Sequence, residues 1–211
     1  MKTLAEYIKA NDIPGAESCL KEMLKVAPSP ELWLKLAMVE LDFPFCDEDS
    51  ALDCCKEAVA LSDSLIDAWL LMAYIQFYTT GRAETAVLDK LSLLAESARD
   101  KARVLYLKAL SIWPRNEQAE KELLQKSIET YPQLVWPYVH LGHLCGEKAQ
   151  AKQCYQRALE NVQHPLLSTE HPDYDPTDYK SYILELVDGT HINTAQYEII
   201  TEHYQKAAQA E

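Results

Sequence analysis

Apolar side chains recur along this chain on one face of a helix, and the arrangement returns at an interval near 34 residues. From Ala16 the apolar residues follow the spacing i, i+4, i+7 and i+8, which places them on a single stripe of an α-helix that Pro28 would end. Stripes in the same register begin, after intervals of 35, 35, 34 and 31 residues, at Ala51, Ala86, Glu120 and Ala151. Periods of roughly 20 to 50 residues are typical of stacked supersecondary units, so the pattern predicts a helical repeat.

A second helix is predicted in front of these stripes. Its aromatic, large apolar and small residues stand at i, i+3 and i+4, and the small residue allows a neighbouring helix to approach closely. Three sets follow this rule: Trp33, Leu36 and Ala37; Trp69, Met72 and Ala73; and Tyr138, Leu141 and Gly142. Two helices per unit, each apolar on one side, predict a series of hairpins that bury one another's apolar faces.

These residues resemble the motif of the tetratricopeptide (TPR) repeat family. That family has aromatic, large-apolar and small positions on its first helix, followed by a pattern of the form Ala-x-x-x-(aromatic or Cys)-x-x-Ala on its second. The resemblance implies an all-α fold, a right-handed superhelix of about five TPR-like helix hairpins with C-terminal capping helices. The expected units are residues 1–28, 29–63, 64–98, 99–132 and 133–163. An irregular helical bundle without true repeats is the alternative interpretation.

Two of these units depart from the motif. Lys108 stands where the small residue of the fourth unit is expected, and Glu120 replaces the alanine that opens the stripe of its second helix. The pattern therefore leaves open whether the fourth unit is distorted or shifted by one residue. In the second unit, Phe43-Pro44-Phe45 lengthens the loop between the two helices.

The residues after the repeats have a different character. Residues 164–178 contain three prolines among polar and acidic side chains, which predicts a non-helical connector. Helical patterns resume over residues 179–211, where Asp175 or Thr177 is expected to cap a helix that ends at Asp188-Gly189. A second helix, capped by Thr194, is expected to run to about residue 208.

Each of the two C-terminal helices has an apolar face. The faces are formed by Tyr179, Tyr182, Ile183 and Leu186 in the first helix and by Tyr197, Ile200 and Tyr204 in the second. Solenoids need atypical terminal units that cover the last exposed apolar surface, so capping is the favoured interpretation. Folding of this tail into the concave groove, or docking on a second protein, is the alternative.

The charge of the chain limits its partners. The formal net charge is −13, and −7 of it lies in residues 164–211. Such a surface repels phosphate backbones and anionic membranes, so neither nucleic acid nor membrane is an expected partner. A basic protein or peptide is compatible with the charge, although acidic helices also serve solubility without any partner.

The expected location is cytoplasmic. The first residues lack the apolar stretch of a secretory signal, and no apolar run reaches the length of a membrane span. The six cysteines contain no Cys-x-x-Cys pair, which favours packed, reduced thiols over disulfides.

Three groups of residues were candidates for chemistry. Asp173-Tyr174-Asp175-Pro176-Thr177 resembles the Asp-x-Asp-x-Thr string of haloacid dehalogenase phosphatases, but that chemistry needs a preceding buried strand, which the sequence lacks. His140, His143 and Cys145 could share a metal ion but lack a fourth ligand. The neighbours Cys54 and Cys55 point about 100° apart on a helix, so packing is favoured over redox activity. We therefore expect no enzyme activity, no cofactor and no bound metal.

The expected function is to bind a protein or peptide in the concave groove. The resemblance implies that the ligand faces residues on the first helices of the second, third and fifth units: Leu34, Met38 and Leu41; Leu70, Tyr74 and Phe77; and Trp136, Val139 and His143. TPR proteins that grip acidic C-terminal tails use Lys, Asn and Arg at such positions, which this chain does not supply. The lining predicts an apolar helix or extended segment as ligand, unless the C-terminal helices cover it. A dedicated acidic chaperone that shields a basic or aggregation-prone client is the alternative. The sequence predicts no oligomeric state.

Overall fold

Ten helices joined by short connections form five consecutive hairpins. The computed structural model describes residues 2–42, 44–112, 114–166 and 175–209. The helices are α1 (Leu4–Lys9), α2 (Ile13–Val26), α3 (Pro30–Leu41), α4 (Glu48–Leu61), α5 (Ile66–Thr80), α6 (Thr85–Leu94), α7 (Ala98–Leu110), α8 (Glu117–Thr130), α9 (Trp136–Leu144) and α10 (Lys148–Asn161). Each odd-numbered helix packs against the next helix, and each hairpin packs against its neighbour. The predicted all-α architecture of sequential hairpins is confirmed.

Local sequence signals explain where these helices begin. The side chain of Ser29 accepts a hydrogen bond from the backbone N–H of Leu32 at 3.2 Å, and Pro30 occupies the first position of α3, where its missing N–H is not needed. Asp47 caps α4 in the same way, accepting from the N–H of Ser50 at 2.9 Å. Each such cap contributes about 1 kcal/mol to helix stability.

Small residues lie where the helices cross, as the repeat motif predicts. Ala16, Ala37, Ala51 and Ala73 are fully buried. A Cβ atom added to Gly142 would lie 2.8 Å from Cε1 of Tyr155, so α10 packs directly onto the backbone of α9. Small side chains thus set the distance between helices.

The fourth unit departs from the motif, and contacts within and between α7 and α8 accommodate these departures. Ala109, next to the partly exposed Lys108, is buried. Glu120 is also buried and forms an ion pair with the exposed Arg115 at 3.5 Å. The hydroxyl of Ser127 donates to the carbonyl of Ala102 at 2.7 Å and ties α8 to α7. The hairpin therefore forms despite its imperfect motif.

The C-terminal residues contain a feature that the sequence did not predict. Strand β1 (His164–Leu166) pairs in parallel with strand β2 (His191–Asn193), and His164 lies opposite His191. Residues 164–166 of the predicted non-helical connector thus form a short strand, which the sequence pattern did not indicate. Residues 167–174 of that connector lie outside the described part of the chain.

Two C-terminal helices form near the predicted positions, with different caps. Helix α11 (Tyr179–Ile183) is capped by Asp178 and continues into a π-helical turn (Leu184–Asp188), so the predicted caps Asp175 and Thr177 were wrong by one to three residues. Helix α12 (Thr194–Ala208) begins with a capping box, in which Asn193 and Gln196 bond each other's backbone, and not with Thr194 as cap.

The apolar interior is divided into two clusters. The larger one runs through the first four hairpins and includes Tyr179, Ile183 and Val187 from the C-terminal region. The smaller one joins α9 and α10 to Ile192 and to Ile200 of α12. Helix α12 thus covers the end of the stack, as the capping interpretation predicts. Within the described ranges, none of the helices combines the length and the apolar character needed to cross a membrane.

Candidate functional site in the groove

The groove predicted to hold a ligand is formed by α3, α5, α7 and α9, and it is occupied by the chain itself. The α11 helix and the π-helical turn, residues 179–188, contact α3, α5 and α7. We call these ten residues the groove segment. The C-terminal tail thus makes contacts of both kinds, because α12 packs against α10 while the groove segment lies against α3, α5 and α7.

The predicted ligand-facing residues differ widely in exposure. Four of them, Leu34, Met38, Leu70 and Val139, are buried. Four more are partly buried, namely Leu41, Tyr74, Phe77 and Trp136, and His143 is exposed. Partner binding at these residues stays a prediction, because access to most of them depends on the position of the chain's own C-terminal region.

The groove segment presents its apolar side chains to the groove. Tyr179, Ile183 and Val187 are buried at successive positions four residues apart and belong to the same apolar cluster as Leu34 and Met38. These contacts follow the ordinary rule that residues at i and i+4 lie on one side of a helix. The groove therefore receives a helix through its apolar face.

Burial changes the ionisation of the groove residues. It raises the pKa of Tyr74 to about 12, with a smaller contribution from the charge of Glu185. It also raises the pKa of Glu185 to about 7, although hydrogen bonds from Asn193 and Gln196 act in the opposite direction. The Asn193 Nδ2 atom lies 3.4 Å from Oε1 of Glu185. A neutral carboxyl is thus favoured in the folded protein at mildly acidic pH.

Helix α9 holds the groove segment by its backbone. The indole Nε1 of Trp136 donates to the carbonyl of Glu185 at 2.6 Å, and the N–H of Val135 donates to the carbonyl of Asp188 at 2.7 Å. Gly189 follows with a φ of 72°, and a Cβ there would lie 2.8 Å from Cβ of Val135. Only glycine fits this close approach and this backbone conformation.

Two arginines of α7 form the charged part of the groove. Both Nε and Nη2 of Arg103 donate to the carboxylate of Asp188, at 2.6 and 2.8 Å, and Nε of Arg99 donates to it at 2.9 Å. Arg103 also donates to Asp100 at 3.0 Å. Asp188 is completely buried, so this carboxylate is bound in a low-dielectric environment.

The basic residues of the groove come from α7, the first helix of the fourth unit, for which no ligand-facing positions were predicted. Arg99 and Arg103 stand four residues apart on one side of α7, a spacing that is visible in the sequence. They were missed because the fourth unit had no secure register, so its inward-facing positions could not be assigned.

The histidines lie beside the groove in a cluster of rings. The hydroxyl of Tyr106 and Nε2 of His140 are 3.3 Å apart, and burial lowers the pKa of His140 to about 4. The rings of His143 and His203 meet edge to face, 4.8 Å between centroids, and His203 stacks on Tyr155. No group of three or more metal-ligating side chains is found in the part of the chain that the structure describes. The histidines thus connect α9 to α10 and α12.

The other candidate groups engage in local packing. Cys54 and Cys55 are free, buried thiols, and burial raises the pKa of Cys54 to about 12, which disfavours the reactive thiolate. Asp175 accepts hydrogen bonds from the N–H and hydroxyl of Thr177 at 2.8 and 2.7 Å. Asp173 and Tyr174 of the phosphatase-like string lie outside the described residues.

Comparisons with known proteins identify the fold. No family model matches the chain, and no curated protein matches it. A crystal structure of MamA, a TPR-repeat protein, is similar to 76% of this chain and 95% of its own length, with a TM-score of 0.57 and 22% sequence identity. A MamA RS-1 ArsTM double mutant gives a TM-score of 0.58 at 16% identity, over 75% of this chain and 89% of that one. A further MamA crystal structure gives 0.53 at 20% identity, over 75% and 87%. The chain has the TPR-like fold of these proteins.

Proposed function

We propose that the chain is a non-catalytic interaction module, an adaptor that holds a helical or extended apolar segment of another protein in the groove formed by α3, α5, α7 and α9. The observation that supports this proposal is the groove segment, a short helix, apolar on one side and with a carboxylate at its end, that packs against these helices. The similarity to MamA supports the fold of such a scaffold.

The groove combines two kinds of recognition. Buried aliphatic side chains such as Leu34 and Leu70 provide affinity through the removal of apolar surface from water. The guanidinium groups of Arg99 and Arg103 provide direction, since they fix the end of the bound segment that carries a carboxylate. This is the helix-in-groove mode of peptide recognition.

A photo-crosslinking experiment tests the proposal. A benzophenone amino acid replaces Tyr74, which lies in the groove, and in a matched control it replaces Tyr78, one turn along the same helix and 69% exposed. In lysate of the source cells we expect discrete protein adducts at position 74 that are absent at position 78. The crosslinked stretch, made as a synthetic peptide, should bind the purified chain and should lose affinity when Leu70 is replaced by Asp.

Identical adducts at both positions, or a crosslinked peptide without measurable affinity, would contradict groove binding. The ionic-strength dependence of the peptide's affinity then separates the two candidate functions. Apolar groove binding should change by less than about threefold between low and high salt, because exposed charges are screened over a Debye length of about 8 Å at physiological salt while apolar contacts are not. A loss of more than tenfold would favour the acidic chaperone, which would hold a basic client by charge.

A further inference from the structure

We infer that the groove segment is an internal ligand, which occupies the binding groove until a partner helix of the same chemistry replaces it. That partner carries apolar residues at the spacing of Tyr179, Ile183 and Val187 and a carboxylate at the position of Asp188. This inference rests on the proposed function and specifies the ligand class of the same site.

The arginine pair determines the charge of any occupant. Arg103 is 7% exposed and forms ion pairs with Asp188 and with Asp100 of its own helix. Burial raises the pKa of the partly buried Asp67, and the charge of Arg103 acts against this rise. If the groove segment left and an uncharged helix replaced it, both guanidinium groups would lose the buried carboxylate that pairs them. A replacing helix must therefore supply an acidic group at the same place.

The groove segment also shows imperfections that a permanent core element would avoid. It leaves the α-helical conformation after Ile183 and ends in a π-helical turn, a rare form that is frequent at functional sites. The carboxyl of Glu185 is largely removed from water, and the hydroxyl of Thr190, just after the segment, is buried without a hydrogen-bond partner among the described residues. Each of these groups lowers the stability of the docked state.

The connections of the groove segment to the rest of the molecule would allow a partner helix to replace it. Its contacts with the stack are with the first helices of other hairpins, and its π-helical turn also contacts β2, whereas the hairpins themselves are held together by α2, α4, α6 and α8. Helix α12 belongs to the second apolar cluster and packs on α10. The groove can therefore be vacated while the stack and its end cover remain.

The test uses the full chain and a fluorescein-labelled synthetic peptide of residues 175–193 as probe. The variant Ile183→Asp places a charge on the inward face of the chain's own segment and leaves the groove unchanged. We expect it to bind the peptide at least tenfold more tightly than the unmodified chain, as measured by fluorescence anisotropy. The control Ile199→Asp, at a 54% exposed position on α12, should bind the peptide as the unmodified chain does.

The charge requirement is tested in the Ile183→Asp background. A peptide with Asp188→Asn, or a chain that also carries Arg99→Gln and Arg103→Gln, should lose at least tenfold in affinity. Equal affinities for the two peptides would overturn the inferred carboxylate requirement.

Three results would overturn the inference. They are an Ile183→Asp chain with native helix content and no gain in peptide affinity, an Ile183→Asp chain that no longer folds, and amide hydrogens at residues 179–188 of the unmodified chain that exchange as slowly as those of α5. The second and third would make the segment an indispensable part of the core. The experiment contains no partner protein, so its failure is distinct from a failure of the groove crosslinking described above.

Discussion

Asp188 illustrates how one buried side chain can fix the position of a whole segment. Its carboxylate accepts hydrogen bonds from Arg99 and Arg103, and its backbone carbonyl accepts one from Val135. Two helices, α7 and α9, are thereby tied to the same residue. A buried carboxylate shared by two guanidinium groups is costly to form and more costly to break, because removal leaves cations without a counterion.

We expect Asp188→Asn to lower the free energy of unfolding by about 3 kcal/mol, because it leaves the arginine pair without a full counter-charge. Urea denaturation provides the measurement. The control Asp63→Asn removes an exposed carboxylate paired with Lys90 and should change the free energy by less than about 1 kcal/mol. Equal effects would show that burial of the Asp188 pair has no energetic importance.

Gly189 and Gly81 form a matched pair for comparing alanine substitutions. Both have positive φ angles, 72° and 79°, but a Cβ at Gly81 would meet no atom within 4 Å, whereas one at Gly189 would overlap Val135 and Trp136. Replacement by Ala should cost about 1 kcal/mol at Gly81 from the backbone alone. At Gly189 we expect at least about 1 kcal/mol more from the steric conflict. Thermal unfolding of the two variants measures their losses of stability. Equal losses would show that the contact of Gly189 with Val135 and Trp136 has no role.

Glu185 makes the stability of the groove segment depend on pH. Burial raises its pKa from 4.5 to about 7, so the folded protein binds the proton more tightly than the unfolded chain does. The stabilising contribution of the protonated carboxyl is complete below pH 4.5 and is lost as the pH rises toward 7. Glu185→Gln remains neutral at all pH values. Its free energy of unfolding, measured relative to that of the unmodified chain, should therefore increase by about 2 kcal/mol from pH 5 to pH 8.

Urea denaturation at the two pH values measures this difference. Glu198→Gln, at an exposed position of α12, is the control for replacing a glutamate outside the groove. A Glu185→Gln difference that stays constant with pH would mean that the carboxyl is ionised in the docked segment.

At the scale of elements, α12 protects the last hairpin from water. Ile200 is 1% exposed and packs in the cluster that contains Val139 and Tyr155, whereas its neighbour Ile199 points outward. We expect Ile200→Ala to lower the free energy of unfolding by about 3 kcal/mol and Ile199→Ala by less than about 0.5 kcal/mol. Equal losses in chemical denaturation would contradict the described packing of this helix.

The helices were predictable because their signals are local. The stripe that begins at Ala16, the cap at Ser29 and the small residue Gly142 each act within a few residues or between adjacent helices. The pairing of β1 with β2 was not predictable, because strands of three residues are too short for their alternation to be distinguished from chance. The location of the groove segment also escaped prediction, since it depends on contacts such as Arg103 with Asp188 across 85 positions of the chain.

At the scale of the whole molecule, each hairpin contacts mainly its neighbours, so stability is distributed along the stack. Helix α1 contains no buried residue, whereas α5 lies in the interior of the large cluster beneath the groove segment. The two ends of the stack are therefore unequal, because α12 covers one of them and the short α1 lies at the other.

Hydrogen exchange should reproduce this gradient. Amide hydrogens of α1 are expected to exchange fastest among the helices, and those of α5 slowest, because local opening begins where few apolar contacts must break. Mass spectrometry of peptides from exchanged protein measures both. Uniform protection along the chain would indicate a single cooperative unit in place of a stack of hairpins.

If a partner replaces the groove segment as proposed, the parallel pairing of His164–Leu166 with His191–Asn193 sets how strongly that partner must bind. Because the two strands hold both ends of the intervening chain, the groove segment remains tethered beside its binding surface even when it is released. Tethering over short distances corresponds to an effective concentration on the order of millimolar. A partner present at about micromolar concentration must therefore exceed the intrinsic affinity of the tethered segment by roughly a thousandfold to occupy half of the molecules. In the proposed exchange, this competition would exclude weak, non-cognate helices, and the strand pair would contribute to selectivity as much as the groove itself.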